Sequence, residues 1–189
     1  MQCSPDGPTR INSFALVAYI PNPLGEFLDR LREELVPGCR PHAHVTVLPP
    51  RPLKASVDDA WKQACTEVRG FPPFEIGAGR VEIFSVTDVI YISIETGRPI
   101  LEAMHSALNI DSLAYEEPFN YHPHITLAQS LPPQEVWRIY ELAKQRWEEF
   151  HDQRNFTVDS LTFVQNTLEN TWLDLVECPL AGVAAVSTK

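Results

Sequence analysis

An α+β fold written twice is what this sequence predicts. It has two strand–helix–strand–helix–strand lobes related by a pseudo-two-fold, antiparallel sheets lining a central cleft, and helices outside. Three observations carry that expectation. Segments with period-2 and period-3.6 apolar spacing alternate along the chain. Landmarks recur in the same order, Phe14 to Val89 over 75 residues and His44 to His124 over 80. Finally, each half holds one short strand, "HVTV" or "HITL", that places polar groups on one face of an otherwise apolar segment.

The elements follow in order. Residues 1–12 read as a loose lead-in. "SFALVAYI" is a strand with Phe14, Leu16 and Ala18 on one face. Leu24, Phe27, Leu28, Leu31 and Leu35 recur at helical spacing until Pro37 and Gly38 stop them. After "HVTV", Ser56 is placed to cap a helix that carries Val57, Trp61, Ala64, Cys65 and Val68 on one face. "FEIGAGRVEIF" closes the unit. Its apolar parity slips between Ala78 and Val81, which predicts a bulge near Gly79. The second unit repeats this with "VIYISI", a helix through Ile100, Leu101, Met104 and Leu108, then "HITL". A helix through Val136, Trp137, Tyr140, Ala143 and Trp147 follows, then "FTVDSLTFVQ" and an added "TWLDLV". Parity slips again between Val158 and Leu161. We expect one bilobal domain over residues 13–177, with lobes at about 13–87 and 88–177, and a tail at 178–189.

Composition narrows the function. At 189 residues and 44 % apolar content the chain can bury a core, and no segment approaches the ~20 apolar residues that cross a bilayer. No membrane association is expected. The first residues lack the basic and apolar regions of a secretory signal, and the four cysteines (Cys3, Cys39, Cys65, Cys178) are scattered without a CxxC pair. That pattern reads as reduced thiols, Cys65 among them buried, and a cytoplasmic location. The net charge of −10 disfavours a grip on long duplex nucleic acid, which needs a basic field; an RNA end or a short fragment in a local pocket remains compatible.

In "PHAHVTVLPP" and "YHPHITLAQ", strand geometry puts His44 with Thr46, and His124 with Thr126, on one face. The aliphatic residues between them face the other way. Polar side chains so placed need hydrogen-bond partners or solvent, so their faces line a cleft. Two opposed histidines suit phosphoryl transfer without a metal: one neutral imidazole takes a proton, and the other, protonated, gives one to the departing oxygen. Each threonine hydroxyl can donate to a non-bridging phosphate oxygen. The near symmetry leaves open which histidine is the base. Two rival readings stand beside this one. His42 and His122 complete two His-x-His pairs, whose four imidazoles could bind a transition metal; the simpler role for each is a rim residue. Alternatively, Tyr121, Phe119, Tyr19 and Phe84 could stack on a base in a non-catalytic RNA-end or nucleotide-binding module, although such residues are more often core. His105 and His151 look incidental.

On these motifs the chain resembles the two-histidine phosphoesterase superfamily, nearest the 2′-5′ RNA ligase and cyclic phosphodiesterase branch. "HVTV" and "HITL" carry the resemblance, placed equivalently in two repeats over roughly residues 12 to 177. The resemblance implies hydrolysis of 2′,3′-cyclic phosphates to 2′-phosphates, or cleavage or joining of 2′-5′ linkages, with no metal or organic cofactor. It implies His44, Thr46, His124 and Thr126 as catalytic residues, and an RNA terminus or a small cyclic-phosphate nucleotide as substrate. A monomer suffices for this. One departure concerns phosphate binding: where several relatives have "HITLAR", this chain has "HITLAQ", with Gln129 in place of the basic residue. Arg51, after the first motif, could compensate or could equally be a surface loop residue; Arg51, Tyr121, Gln129, His42 and His122 are the candidate substrate contacts.

Overall fold

The computed structural model describes residues 8–39 and 42–182. The expected lead-in up to Gly7, with Cys3, and the tail from residue 183 lie outside the described residues, as does Pro41.

The chain order is β1 (Arg10–Tyr19), α1 (Leu24–Leu35), β2 (His44–Arg51), α2 (Val57–Val68), β3 (Phe74–Ile83), β4 (Ile90–Thr96) and α3 (Arg98–Leu108). Then come β5 (His124–Ala128), α4 (Val136–Glu148), β6 (Asn155–Val158), β7 (Ser160–Thr167) and β8 (Trp172–Pro179). A single 3-10 turn, Asp111–Leu113, follows α3 and was not expected from the sequence. The helices begin and end where local chemistry directs. Ser56 Oγ accepts from the Asp59 amide at 3.1 Å, satisfying one of the four unpaired N–H groups of α2. Asp58 and Asp59 add negative charge at that end of the helix dipole. Past α1, Gly38 adopts the left-handed conformation, φ 87°, which favours glycine.

Two antiparallel four-stranded sheets result, in the orders β2-β1-β7-β8 and β5-β4-β3-β6. The predicted α+β class, sheets and outer helices are present. The division into lobes is not the predicted one, however. Unit one contributes β3 to the sheet of β4 and β5, and unit two contributes β7 to the sheet of β1 and β2. The helices cross too: α1 packs on β5 and α4, and α3 on β2 and α2. A cut near residue 87 therefore separates two sequence repeats but runs through both packed bodies.

Both predicted parity slips mark real features. Register breaks between Ala78 and Val81 of β3. There the carbonyl of Gly79 accepts from Trp147 Nε1 at 2.8 Å. A Cβ on Gly79 would stand 2.7 Å from Ser93 Oγ, so β4 can approach only because none is present. The second slip is larger than a bulge. Asp159 separates β6 from β7, and the two strands join different sheets.

The core is continuous through Leu16, Leu28, Val45, Ile76, Ile92, Leu101, Ile125 and Phe163. Four expectations are corrected. Trp137 does not share the buried face of α4; it is 69 % exposed, and Ile139 takes the buried position. Cys65 is not a free thiol but is bonded to Cys178, so α2 and β8 are joined covalently. Scattered spacing concealed this pair because the two residues lie 113 apart in sequence. β1 starts at Arg10, inside the expected lead-in, and β8 runs to Pro179, inside the expected tail. Among the described residues, no helix is long and apolar enough to cross a membrane.

Candidate active site

The edge strands β2 and β5 lie against each other, and each opens on its motif histidine. Val45, Val47, Ile125 and Leu127 are fully buried, which fixes the opposite face of each strand toward a cleft of about 680 Å³. His44, Thr46, His124 and Thr126 all line it. The two rings are held alike. Nδ1–H of His44 donates to the His42 carbonyl at 2.7 Å, and Nδ1–H of His124 donates to the His122 carbonyl at 2.7 Å. A carbonyl can only accept, so each bond places the proton on Nδ1 and leaves Nε2 with its lone pair for the cleft.

Aromatic rings brace the two imidazoles. Tyr19, paired with His44 across β1 and β2, stands edge-on to His42 and His44 with centroids 6.3 and 6.4 Å away. Its hydroxyl donates to Asp174 Oδ1 at 2.6 Å. On the other side Phe84 stacks on Tyr91 at 4.0 Å, and both rings stand edge-on to His124 at 5.0 and 5.4 Å. The Tyr91 hydroxyl donates to Glu82 Oε2.

Burial shapes the titration of both histidines. It pushes His44 down to about 4; the bond to the His42 carbonyl opposes this, while the positive charges of Arg32 and His124 add to it. His124 is also held below its ordinary value, again chiefly by burial. His122 shifts downward for the same reason, helped by Arg98.

The remaining sequence candidates divide. Tyr121, His122 and Gln129 line the cleft, and Gln129 is exposed there. Tyr19, Phe84 and Phe119 line it too, although core was the commoner expectation for such residues. His42 does not line it: its side chain is 80 % exposed, and Nδ1 meets Asp29 Oδ2 at 2.9 Å. The four-imidazole arrangement thus does not form, and among the described residues no three His, Cys, Asp or Glu side chains gather as a metal site.

Arg51 is corrected outright. It is buried away from the cleft lining, ion-paired with Glu117 through Nη2. Nη1 donates to Asn109 Oδ1 at 2.7 Å and to the Leu113 carbonyl at 2.9 Å. Its donors are committed to holding the chain after α3, and no fork remains for phosphate. His105, read as incidental, belongs to the same network. Its Nε2 meets Glu117 Oε1 at 2.8 Å, and its ring stacks on Tyr121 at 4.0 Å. Tyr121 in turn donates to the Thr46 carbonyl at 2.9 Å, which ties the approach to β5 onto β2.

The residue missed by sequence reasoning is Arg32. It sits on the buried stripe of α1 beside Leu28, Leu31 and Leu35, only 6 % exposed, and lines the cleft near His44. An arginine interrupting a leucine stripe is the signal that could have found it.

A family model described as the 2′-5′ RNA ligase superfamily matches residues 20–170. No curated protein matches this sequence. Among solved structures, Escherichia coli LigT complexed with NADP+ is similar, with 16 % identity and a TM-score of 0.60 over 93 % of this chain and 99 % of that one. TT0787 of Thermus thermophilus shows 14 % identity and a TM-score of 0.57, covering 90 % and 98 % of the two chains. Usb1 of Kluyveromyces marxianus shows 12 % identity and a TM-score of 0.54, covering 89 % and 98 %. At these identities the likeness is one of fold.

Proposed function

We propose, starting from a chain that belongs to the 2′-5′ RNA ligase superfamily, that this protein is a phosphodiesterase hydrolysing 2′,3′-cyclic phosphates to 2′-phosphates. The chemistry needs neither a metal nor an organic cofactor. The observation that carries the proposal is the matched pair of imidazoles, each with Nδ1–H tied to a backbone carbonyl two residues back and Nε2 left for the cleft.

Water attacks phosphorus; its oxygen bonds to phosphorus as the P–O3′ bond breaks. His44 Nε2 takes the proton from water, and protonated His124 gives one through Nε2 to the departing O3′. His44 is assigned as the base because burial and the nearby Arg32 charge hold it down to about 4 and so keep it neutral above that pH. Thr46 and Thr126 donate to the non-bridging oxygens, where charge builds in the transition state. Arg32, which lines the cleft and lies 4.0 Å from Asp29 Oδ1, is the cation assigned to the phosphate, the role considered for Arg51. With a 5′-hydroxyl attacking phosphorus in place of water, and the same P–O3′ bond breaking, the same base and acid would form a 2′-5′ linkage. The enzyme acts as a monomer in this reading, with both histidines supplied by one chain. We assign it to the cytoplasm as the place of RNA-derived substrates. The Cys65–Cys178 bond weighs against that assignment, and thiol-alkylation mass spectrometry of freshly lysed cells decides it.

The test is hydrolysis of a nucleoside 2′,3′-cyclic phosphate in excess EDTA, with the product isomer identified. Turnover should fall by ~10²–10⁴ in His44→Ala and in His124→Ala while the circular dichroism stays unchanged. Full activity in either variant, or activity that requires added Zn²⁺, overturns the mechanism.

A further inference from the structure

The two imidazoles of the cleft are held alike at Nδ1, but the peptide groups that hold them differ, and the difference picks out a residue on α1. His44 Nδ1–H donates to the carbonyl of the peptide joining His42 to Ala43, at 2.7 Å. The N–H of that same peptide, on Ala43, donates to Asp29 Oδ1 at 2.6 Å. In a trans peptide these two groups point opposite ways, so one peptide unit connects the Asp29 carboxylate to the imidazole. Resonance couples its ends: an anion accepting from the N–H puts electron density on the carbonyl oxygen, which then accepts more strongly from Nδ1–H.

The neighbours of Asp29 keep it in place. Its other oxygen, Oδ2, meets His42 Nδ1 at 2.9 Å, and Arg32 Nη1 lies 4.0 Å from Oδ1. Ala43 is buried, and its carbonyl accepts from the Ile20 amide at 3.1 Å, which ties the segment to the end of β1. Asp29 is not among the described residues that line the cleft, so its influence on the reaction runs through His44.

The second motif is denied this link by its sequence. "YHPH" has Pro123 where "PHAH" has Ala43, and a proline nitrogen carries no hydrogen. The peptide whose carbonyl holds His124 has no donor at its other end. A carboxylate behind an imidazole suits the histidine that gains a proton during reaction, because it stabilises the imidazolium that forms.

We propose that Asp29 is a positioning residue for the hydrolysis: it holds the peptide between His42 and Ala43 so that the carbonyl fixes the His44 ring and stabilises the imidazolium formed when His44 takes the proton from water. This rests on the activity proposed above, with His44 as base. Among the described residues, the charged and titratable groups facing His44 are Asp29 and Arg32 from α1, His124 from β5, Tyr19 from β1, and His42 ahead of it on its own strand. Of the two on α1, Asp29 raises the His44 value and Arg32 lowers it.

Asp29→Asn keeps the shape and an oxygen acceptor but removes the charge. Its kcat for a nucleoside 2′,3′-cyclic phosphate should fall about tenfold, while KM does not rise. In an NMR titration of the same variant, His44 should titrate below the wild-type value of about 4, and its Nδ1–H proton should move upfield. His124 should keep both its titration and its Nδ1–H signal. Ala43→Pro, which copies Pro123, cuts the link at its other end; kcat should fall likewise, and the double variant should be within about twofold of Ala43→Pro alone. Wild-type kcat in Asp29→Asn overturns the proposal. So does a loss of kcat with the His44 signals unmoved, or with those of both histidines moved alike, since either marks a structural contact alone. The NMR arm needs no turnover, so the activity reading fails separately, by absence of His44-dependent hydrolysis in the wild-type enzyme.

Discussion

A histidine in water titrates near 6.5, but His44 and His124 sit where the imidazolium is poorly solvated, and their pH response follows from that. With His44 as base, kcat/KM rises as the pH passes about 4, because the base must lose its proton. It falls as the pH passes the value for His124, which must keep its proton and which burial holds below the ordinary 6.5. The profile is therefore a bell with an acidic optimum, between about 4 and 6.5. An optimum above pH 7 in a kcat/KM titration overturns this assignment. Bound phosphate stabilises the imidazolium, so the falling limb of kcat should lie at higher pH than that of kcat/KM. Arg32 enters the same titration from α1. Its charge lowers His44, so Arg32→Gln should move His44 upward from about 4 in an NMR titration and shift the rising limb with it. KM should also rise, by about tenfold, with the loss of a charged hydrogen bond to phosphate. A lost structural contact alone would not carry the His44 titration upward in step with KM.

At the scale of elements, the two motif strands are edge strands, and an edge needs something to hold it. For β5 the hold is the linked set Tyr121, His105, Glu117 and Arg51, which reaches from the Thr46 carbonyl on β2 to the end of α3. Arg51 is the part that cannot be removed cheaply, since Glu117 would remain buried without its cation. Arg51→Met should cost ~3–5 kcal/mol in a urea unfolding titration, the range for breaking a buried ion pair. A contact with substrate would instead raise KM and leave the unfolding midpoint in place. The local elements were largely legible in the sequence. α1 runs over Leu24–Leu35 and α2 follows its Ser56 cap, because periodicity and capping are properties of neighbouring residues. The face of Trp137 was not legible. Both Trp137 and Ile139 lie within one turn of α4, and only the strand packed against the helix decides which is covered.

For the whole molecule, the cross-link between Cys65 and Cys178 closes a chain of 113 residues, running from α2 to β8. A double Cys65→Ala/Cys178→Ala variant should lose ~2–5 kcal/mol of unfolding free energy, because the open chain regains conformational entropy when unfolded. Neither residue lines the cleft, so kcat/KM should stay within about twofold of wild type. A large fall in activity without a fall in stability would place the bond in control of the site through β8, which carries Trp172 and Asp174. What the sequence determined alone is the repeat, the alternation of strands and helices, and the two His-x-Thr faces. Each of these is written in residues that stand next to one another along a strand or a helix. What only the tertiary structure decided is which groups meet across long separations: the exchange of β3 and β7 between units, Arg32 and not Arg51 at the cleft, and the pairings of Tyr19 with Asp174 and Cys65 with Cys178. Those pairings depend on how surfaces remote in sequence are buried against each other, and no local pattern encodes that choice.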